Sequence, residues 1–237
     1  MATAQKLRCQ VTRLVDHGER VYTVELRPER PAPRFRPGQF LHLALDDYDP
    51  SGFWPESRVF SIASAPAQRD LLRISYSVRG RFTARMEREL AEGRRVWVKL
   101  PYGDFIIEDT SDIVLFAGGT GITAFTAFLD GLPSTFGHTV TLAYGARTPE
   151  LLIYRDLLTA RAALIPALRT CYFVERGEPA PDRVIGRLSV EAVWPHIPAP
   201  GQATYYLSGP PVMLRTLTAD LRGRGIAAGA IRIDAWE

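Results

Sequence analysis

The chain has 237 residues, of which 46% are hydrophobic, and its formal net charge is +3. This length suggests two domains of about 100 to 150 residues each. No stretch reaches the roughly 18 consecutive apolar residues of a membrane-spanning helix. Residues 1–6 lack the apolar core of a secretory signal, so we expect a cytoplasmic protein. Clustered basic and aromatic tracts are absent, which argues against a nucleic-acid-binding protein.

Short alternating runs in the first half of the chain predict β-strands. The predicted strands lie near residues 6–15, 20–26, 40–45, 59–63, 71–78 and 95–100. One helix is predicted near 82–91. Breaks at Pro28, in the proline cluster at 31–37 and at 46–55 favour a small antiparallel barrel, since proline and glycine interrupt strands.

The pattern changes near residues 106–111 to alternating strands and helices. We therefore expect two domains, 1–108 and 109–237. The predicted strands of the second domain are 113–117, 139–144, 168–174, 204–208 and 230–233. Helices are predicted up to about Leu129, over 150–161 and over 212–222. This alternation predicts a Rossmann-like α/β domain with a parallel sheet.

A glycine-rich turn follows the predicted strand at 113–117. Gly119, Thr120 and Gly121 stand between that strand and the next predicted helix. Glycine lets a ligand approach the backbone closely, and a helix N-terminus presents N–H groups and positive potential to phosphate. We therefore predict that this turn binds the pyrophosphate of a dinucleotide. A tight strand-to-helix turn without a ligand is the alternative interpretation.

Arginines follow the predicted strands of the second domain at three places, Arg147, Arg176 and Arg187. An NAD-binding unit carries an acidic residue about 20 positions after its glycine motif. Arg147 stands near the corresponding strand end, where a guanidinium would suit a 2′-phosphate. These residues favour NADPH over NADH. Glu150 is the competing observation, and three ordinary surface arginines are the alternative.

Three short motifs occur in a characteristic order: 58–64 (RVFSIAS), 118–123 (GGTGIT) and 206–211 (YLSGPP). Together they resemble the ferredoxin-NADP reductase superfamily, and the resemblance covers nearly the whole chain. It implies an N-terminal antiparallel Greek-key β-barrel that binds FAD and a C-terminal Rossmann-like domain that binds NADPH. It also implies that electrons pass between NADPH and a one-electron carrier.

The first motif supplies the flavin residues that this resemblance implies. Arg58 would pair with the FAD phosphates, Phe60 would pack on the isoalloxazine ring, and Ser61 would hydrogen-bond near N5. Val59 and Ser64 are further cofactor-binding residues of the motif. Phe60 replaces the tyrosine of the family's R-x-Y-S pattern. We expect the flavin to stay, with altered affinity or potential, because the aromatic face is retained.

A second flavin motif is similar at residues 80–83. Gly80 and Thr83 would approach the FAD pyrophosphate, whereas a cap or first-turn role is the alternative for Thr83. The stretches 37–40 and 101–105 are also similar to the family, and we expect them to be structural turns that shape the barrel and the flavin pocket.

The resemblance also implies residues for hydride transfer. Ser208, Gly209 and Pro210 stand where many relatives carry Cys-Gly-Pro beside the nicotinamide. We expect serine there to tune the rate without abolishing it, because the protein mainly positions the two rings. A plain strand-to-helix turn is the alternative, and both can hold.

The last residues match the end of the family's pattern. Asp234 stands at the place of an acidic residue near flavin N5, and Trp236 at the place of an aromatic that covers the ring. A core or edge tryptophan is the alternative for Trp236. Ser61, Ser208 and Asp234 are the catalytic residues that we predict.

These features predict an FAD-dependent NAD(P)H oxidoreductase, specifically a stand-alone ferredoxin- or flavodoxin-NADP reductase. Two cysteines, Cys9 and Cys171, cannot form a four-thiolate iron–sulfur site, so we expect ferredoxin or another iron–sulfur partner to be a separate protein. The dispersed histidines predict no metal site. One alternative is an NAD(P)H-dependent reductase component of a multicomponent oxygenase. Another is a catalytically degenerate flavin- or nucleotide-binding sensor.

Overall fold

The computed structural model describes residues 3–108 and 110–234. The chain divides into two units, Met1–Ile106 and Ile107–Glu237, and each has its own sheet. Within the described ranges, none of the helices has the length and apolar character that crossing a membrane requires.

The first unit is built on one antiparallel sheet. Its elements are β1 (Gln5–Asp16), β2 (Val21–Pro28), β3 (Phe40–Ala44), β4 (Ser57–Ser61), β5 (Leu72–Ser77), α1 (Arg81–Glu89) and β6 (Arg95–Tyr102). The strand order is β4-β3-β6-β1-β2-β5. The two edges approach each other where Ala63 N donates to Arg73 O at 2.7 Å. The sheet is therefore nearly closed, which confirms the predicted antiparallel barrel.

Side chains alternate along β1 between the buried interior of the barrel and its outer face. Successive side chains of a strand point to opposite faces, and Leu7, Cys9 and Val11 of β1 are buried while the residues between them are only half-buried. Burial raises the pKa of the Cys9 thiol to about 12. Cys9 is thus a small hydrophobic core residue whose thiol stays protonated.

The two turns at residues 37–40 and 101–105 pack against each other within the barrel. Gly38 and Gly103 both have positive φ, at +95° and +96°. A Cβ on Gly38 would collide with the Phe105 carbonyl group, and one on Gly103 would lie 2.8 Å from Phe40 Cδ1. Gln39 Nε2 donates to Gly103 O at 3.1 Å. Packing of the barrel itself therefore requires both glycines.

The second unit is a parallel α/β sheet. Its elements are β7 (Ile113–Gly118), α2 (Thr123–Gly131), β8 (Val140–Ala146), α3 (Arg155–Leu164), β9 (Leu168–Val174), β10 (Arg183–Ile185), α4 (Val190–Val193), β11 (Thr204–Ser208), α5 (Pro211–Gly223) and β12 (Ile231–Asp234). The strand order is β10-β9-β8-β7-β11-β12, with parallel pairs throughout. The predicted Rossmann-like class is confirmed.

Three details of this unit differ from the sequence-based prediction. Helix α3 begins at Arg155 and not at 150, because Tyr154 adopts a left-handed conformation with φ of 67° and ends the preceding short turn. Strand β10 was not predicted, since it has three residues and two of them are exposed. Helix α4 was not predicted either, because four residues are too few to show a helical period.

Candidate functional site

Three predicted features meet at the carboxyl edge of the parallel sheet. The strand order reverses between β7 and β11, and there Ala117 is the register partner of Ser208. On the other side of β11, Asp234 of β12 is opposite Ser208. Open α/β sheets bind ligands outside the carboxyl ends of the strands at such a reversal point. The glycine turn, Ser208 and Asp234 thus share the edge where a ligand is expected.

The glycine turn follows β7 as a short 3-10 helix, Gly119–Ile122, which leads into α2. Gly119 has φ of +55°, and no atom lies within 4 Å of a Cβ placed on it. A Cβ on Gly121 would instead lie 2.6 Å from the Ser208 carbonyl carbon. Thr120, which is half-buried, accepts a bond from Thr123 Oγ1 through its carbonyl at 2.8 Å. Gly121 is therefore required by backbone packing, whereas Gly119 faces open space.

Two further residues pack at this crossing: Gly118, which was part of the quoted motif but not a predicted site residue, and Met213, which the sequence analysis missed. A Cβ on Gly118 would lie 2.6 Å from Met213 Sδ, and one on Gly209 would lie 2.6 Å from Met213 Cε. Gly209 also has φ of +152°. The Gly118-Gly119 doublet was a usable signal, but nothing in the sequence marks Met213, because its position depends on how α5 packs.

Ser208 and Asp234 form a buried pair. Ser208 Oγ donates to Asp234 Oδ2 at 2.9 Å, and the two residues are 0% and 7% exposed. A carboxylate removed from water needs hydrogen-bond donors, and Ser208 provides one. Pro210 then precedes α5, and its carbonyl accepts from Leu214 N at 3.1 Å. The structure therefore brings two of the predicted catalytic residues into direct contact, while Ser61 belongs to the first unit.

The predicted arginines follow three neighbouring strands of the same sheet. Arg147 comes directly after β8, and Arg176 and Arg187 each come two residues after β9 and β10. Arg176 N donates to Arg147 O at 2.9 Å, and Arg187 Nε lies 3.5 Å from Glu175 Oε1. All three are exposed at the carboxyl edge. Glu150 is exposed on the turn after β8, and hydrogen bonds within that turn lower its pKa. This edge can hold an anionic group.

Arg58 of the first motif projects from β4 of the barrel. Its Nη1 donates to Ser57 O at 2.9 Å, and its Nη2 lies 3.8 Å from Glu56 Oε1. The guanidinium also stands 5.5 Å from the Phe82 ring centroid. The side chain is 55% exposed, so these contacts are weak and screened by water. Val59, the next residue, is half-buried. Arg58 can turn toward a phosphate at little energetic cost.

The remaining residues of the first motif are buried. Phe60 is 9% and Ser61 5% exposed. The Phe60 ring meets the Tyr76 ring edge-on, with centroids 6.2 Å apart. Ser64 Oγ accepts from Arg73 N at 3.3 Å, so it helps to join the two edges of the sheet. These side chains are fixed by packing before any ligand binds.

Thr83 of the second flavin motif is engaged by its own turn. Its Oγ1 accepts from Arg79 N at 2.9 Å and from Gly80 N at 3.1 Å, and it donates to Gly80 O at 3.1 Å. This is the helix-start arrangement that was the alternative for Thr83. No atom lies within 4 Å of a Cβ placed on Gly80, so the N-terminus of α1 is open there. Trp236 lies outside the described residues.

Comparison with known proteins gives one family model and a consistent set of relatives. Residues 115–218 match the model described as an oxidoreductase NAD-binding domain. The reductase component of propane 2-monooxygenase from Rhodococcus jostii (strain RHA1) is 29% identical over 98% of this chain and 64% of its own length. The reductase component DmpP of phenol 2-monooxygenase from Pseudomonas sp. (strain CF600) is 27% identical over 90% and 61%. The chain spans less than two thirds of these relatives.

Solved structures share the whole two-unit fold. A ferredoxin NADP+ reductase from Neisseria gonorrhoeae with bound FAD and NADP superimposes with a TM-score of 0.78 at 21% identity, covering 99% of both chains. The FAD/NAD binding domain of nitric oxide dioxygenase from Vibrio cholerae O1 biovar El Tor gives 0.83 at 20% identity, covering 97% of this chain and 98% of that one. The chain therefore shares the fold of these two proteins, in which a barrel is followed by a parallel sheet. The chain is thus similar to oxidoreductases over residues 115–218 and to a ferredoxin NADP+ reductase in its fold.

Proposed function

We propose that the protein is an FAD-dependent NAD(P)H oxidoreductase that uses NADPH and passes electrons to a separate one-electron carrier such as ferredoxin or flavodoxin. The observation that carries this proposal is the convergence of the glycine turn, the Ser208–Asp234 pair and the arginine edge at the carboxyl ends of one parallel sheet. Residues 1–108 would form the flavin domain and 109–237 the nucleotide domain.

The second unit has groups that fit a phosphorylated dinucleotide. The open face at Gly119 leaves room for a pyrophosphate at the backbone, where Thr120 and Gly121 lead into α2. Backbone N–H groups at the start of a helix favour such an anion. Arg147, Arg176 and Arg187 supply guanidinium groups for a 2′-phosphate. This arrangement is the basis for proposing NADPH over NADH.

The barrel has groups that fit a flavin. Arg58 can turn to the diphosphate, the open N-terminus of α1 at Gly80 offers backbone N–H groups, and the Phe60 ring offers an apolar wall. The bound flavin supplies the step from two-electron to one-electron chemistry, which no side chain of the protein can perform. Ser61 would hold a hydroxyl near its reactive nitrogen.

In this proposal, Ser208 and Asp234 position the nicotinamide ring of the bound nucleotide. Because the Ser208 proton is donated to Asp234, the serine oxygen is held in one orientation with its lone pairs turned away from the carboxylate. A fixed polar atom of small size at the strand end can orient a flat ring without blocking it. We propose that this pair positions the nicotinamide, with Gly209 and Pro210 shaping the adjacent turn.

A second candidate function is supported by the curated relatives, which are named as reductase components of propane 2-monooxygenase and phenol 2-monooxygenase. The protein would then deliver electrons to an oxygenase system through a separate iron–sulfur protein. Assays with purified ferredoxin, flavodoxin and oxygenase components distinguish the two functions, because only the true acceptor should be reduced with saturation at low concentration.

The central experiment is an anaerobic titration of the FAD-loaded protein with NADPH and then with NADH, following the visible band of the oxidised flavin. We expect rapid bleaching at low NADPH concentration and a much weaker response to NADH. A yellow protein that neither nucleotide reduces would contradict the oxidoreductase function. A protein that cannot be reconstituted with FAD would contradict the flavin assignment of the barrel.

A further inference from the structure

Tyr76 lies inside the barrel and contacts a residue of the predicted flavin site. Its ring meets the Phe60 ring with the planes at 61°. Phe60 is on β4 and Tyr76 is on β5, which are the two edge strands of the sheet. Phe60 is the register partner of Leu41, which is fully buried, and Tyr76 is the partner of Tyr22. The two rings therefore meet across the place where the barrel closes.

The hydroxyl of Tyr76 has no role in the fold that the structure records. Tyr76 is 3% exposed, and its hydroxyl is buried with no hydrogen-bond partner in the part of the chain that the structure describes. Burial raises the pKa of this phenol above its usual value, so the group is a neutral O–H donor. A buried donor without an acceptor costs free energy relative to the same ring without the hydroxyl.

The neighbouring Tyr22 shows that the barrel can satisfy such a group. Its ring stacks on Tyr76 at 5.4 Å, and its hydroxyl donates to Glu87 Oε1 at 3.1 Å. In the second unit, the Tyr172 hydroxyl is also buried without a partner among the described residues. Tyr76 contacts Phe60, whereas the Tyr172 ring meets the Tyr144 ring of the second unit. Phe60 has no polar side-chain atom, although it stands where the flavin is proposed to bind.

We propose that Tyr76 is a flavin-binding residue whose hydroxyl donates to an acceptor of the cofactor and thereby supplies the polar contact that Phe60 cannot make. This inference rests on the proposed flavin function of the barrel. A flavin carries carbonyl, ring nitrogen, ribityl and phosphate acceptors, so a single phenol donor beside the Phe60 ring is chemically matched to it. The group that costs stability in the protein alone would gain its partner on binding.

Fluorescence quenching of FAD added to the apoprotein tests this inference directly. We expect Tyr76→Phe to raise the dissociation constant of FAD about five- to tenfold, the range for the loss of one neutral hydrogen bond. Tyr172→Phe is the matched control, since it removes the same kind of unpartnered hydroxyl from the second unit. Its FAD dissociation constant should equal that of the parent. The melting temperature of both apoproteins should be unchanged or higher.

A rescue experiment distinguishes a lost contact from a disturbed barrel. Phe60→Tyr places a hydroxyl on the neighbouring ring, so it should restore FAD affinity to nearly the parent value in the Tyr76→Phe background. In the parent background, where the contact already exists, it should improve affinity by a smaller factor than in the Tyr76→Phe background. Equal effects of Phe60→Tyr in both backgrounds, or parent-like affinity of Tyr76→Phe, would overturn the inference while leaving the flavin function intact. A parent that fails to bind FAD would overturn both.

Discussion

The two candidate sites of this protein differ in what forms them: closely packed backbone in the parallel sheet, and an exposed side chain in the barrel. In the parallel sheet, the turn at Gly118–Gly121 lies so close to the Ser208–Gly209 backbone that a single methyl group would collide. In the barrel, the predicted phosphate ligand Arg58 is exposed and contacts a carbonyl, a distant carboxylate and the Phe82 ring. A site made of packed backbone exists before its ligand arrives, whereas a site made of exposed side chains is completed by the ligand.

This contrast predicts whether a single substitution lowers stability and ligand affinity together or affinity alone. Changes at the backbone-built site should lower the stability of the second unit along with nucleotide affinity. Changes of exposed side chains should lower affinity and leave stability alone, because such side chains contribute little to folding.

Gly121→Ala should have the largest effect. The added Cβ would lie 2.6 Å from the Ser208 carbonyl carbon and 2.8 Å from Gly209 N, so the two turns must move apart. We expect the free energy of unfolding to fall by about 3 kcal/mol, as for an overpacked interior site, together with a loss of NADPH affinity. Urea denaturation measures the first effect. Gly131→Ala is the control, since no atom lies within 4 Å of its Cβ, and parent-like stability of Gly121→Ala would refute the backbone-built site.

Ser208→Ala should have the second largest effect. It removes the donor at 2.9 Å from Asp234 Oδ2 in a buried place, which should cost about 1 to 2 kcal/mol of stability. Flavin reduction by NADPH should also slow, as stopped-flow absorbance would measure. Thr216→Ala is the control, because its hydroxyl bonds to the Val212 carbonyl on the exposed side of α5. A reduction rate equal to that of the parent would remove Ser208 from the catalytic residues.

Arg187→Gln should have a smaller effect, confined to NADPH. Arg187 is 84% exposed and lies 3.5 Å from Glu175, so its loss should not alter stability. We expect the KM for NADPH to rise roughly fivefold, corresponding to about 1 kcal/mol for one exposed charge contact, with no change for NADH. Arg169→Gln, exposed near the amino end of β9, serves as the control. Equal changes with both nucleotides would contradict recognition of a 2′-phosphate.

Acidification should produce the smallest effect, which in the barrel acts through the carboxylates around α1. Hydrogen bonds from Arg20, Arg85 and their neighbours lower the pKa values of Glu87, Asp46 and Glu89 around α1. A carboxylate with a lowered pKa stabilises the fold above its ordinary pKa, and this contribution disappears as the pH falls through the lowered value.

The barrel should therefore lose a little stability between about pH 5 and the acidic range below about pH 4. Denaturation followed by tryptophan fluorescence at about pH 6 and about pH 3.5, with and without roughly 0.5 M salt, measures this loss. Salt at the higher pH should reproduce part of it, because exposed ion pairs are screened. Barrel stability that is independent of both pH and salt would show that these pairs contribute nothing measurable.

Much of the fold could be predicted because local pattern and packing agree. Strands β9 and β11 have the predicted bounds, because Leu168–Val174 and Thr204–Ser208 are rich in apolar and aromatic residues and lie between clear breaks. The glycine turn was located from the sequence because closely spaced glycines between an apolar run and a helical stretch are typical of a tight turn. The predicted start of α3 was wrong, because the left-handed conformation of Tyr154 has no signal in residue identity.

The amino-acid sequence by itself determined the class of each unit and the candidate residues at each strand end, since periodicity and turn chemistry depend on neighbours in the chain. Only the tertiary structure decided which of those residues meet. Ser208 and Asp234 are 26 positions apart and became a hydrogen-bonded pair because β11 and β12 align in register. The positions of Met213 and Tyr76 depend on side-chain packing between elements that are distant in the sequence.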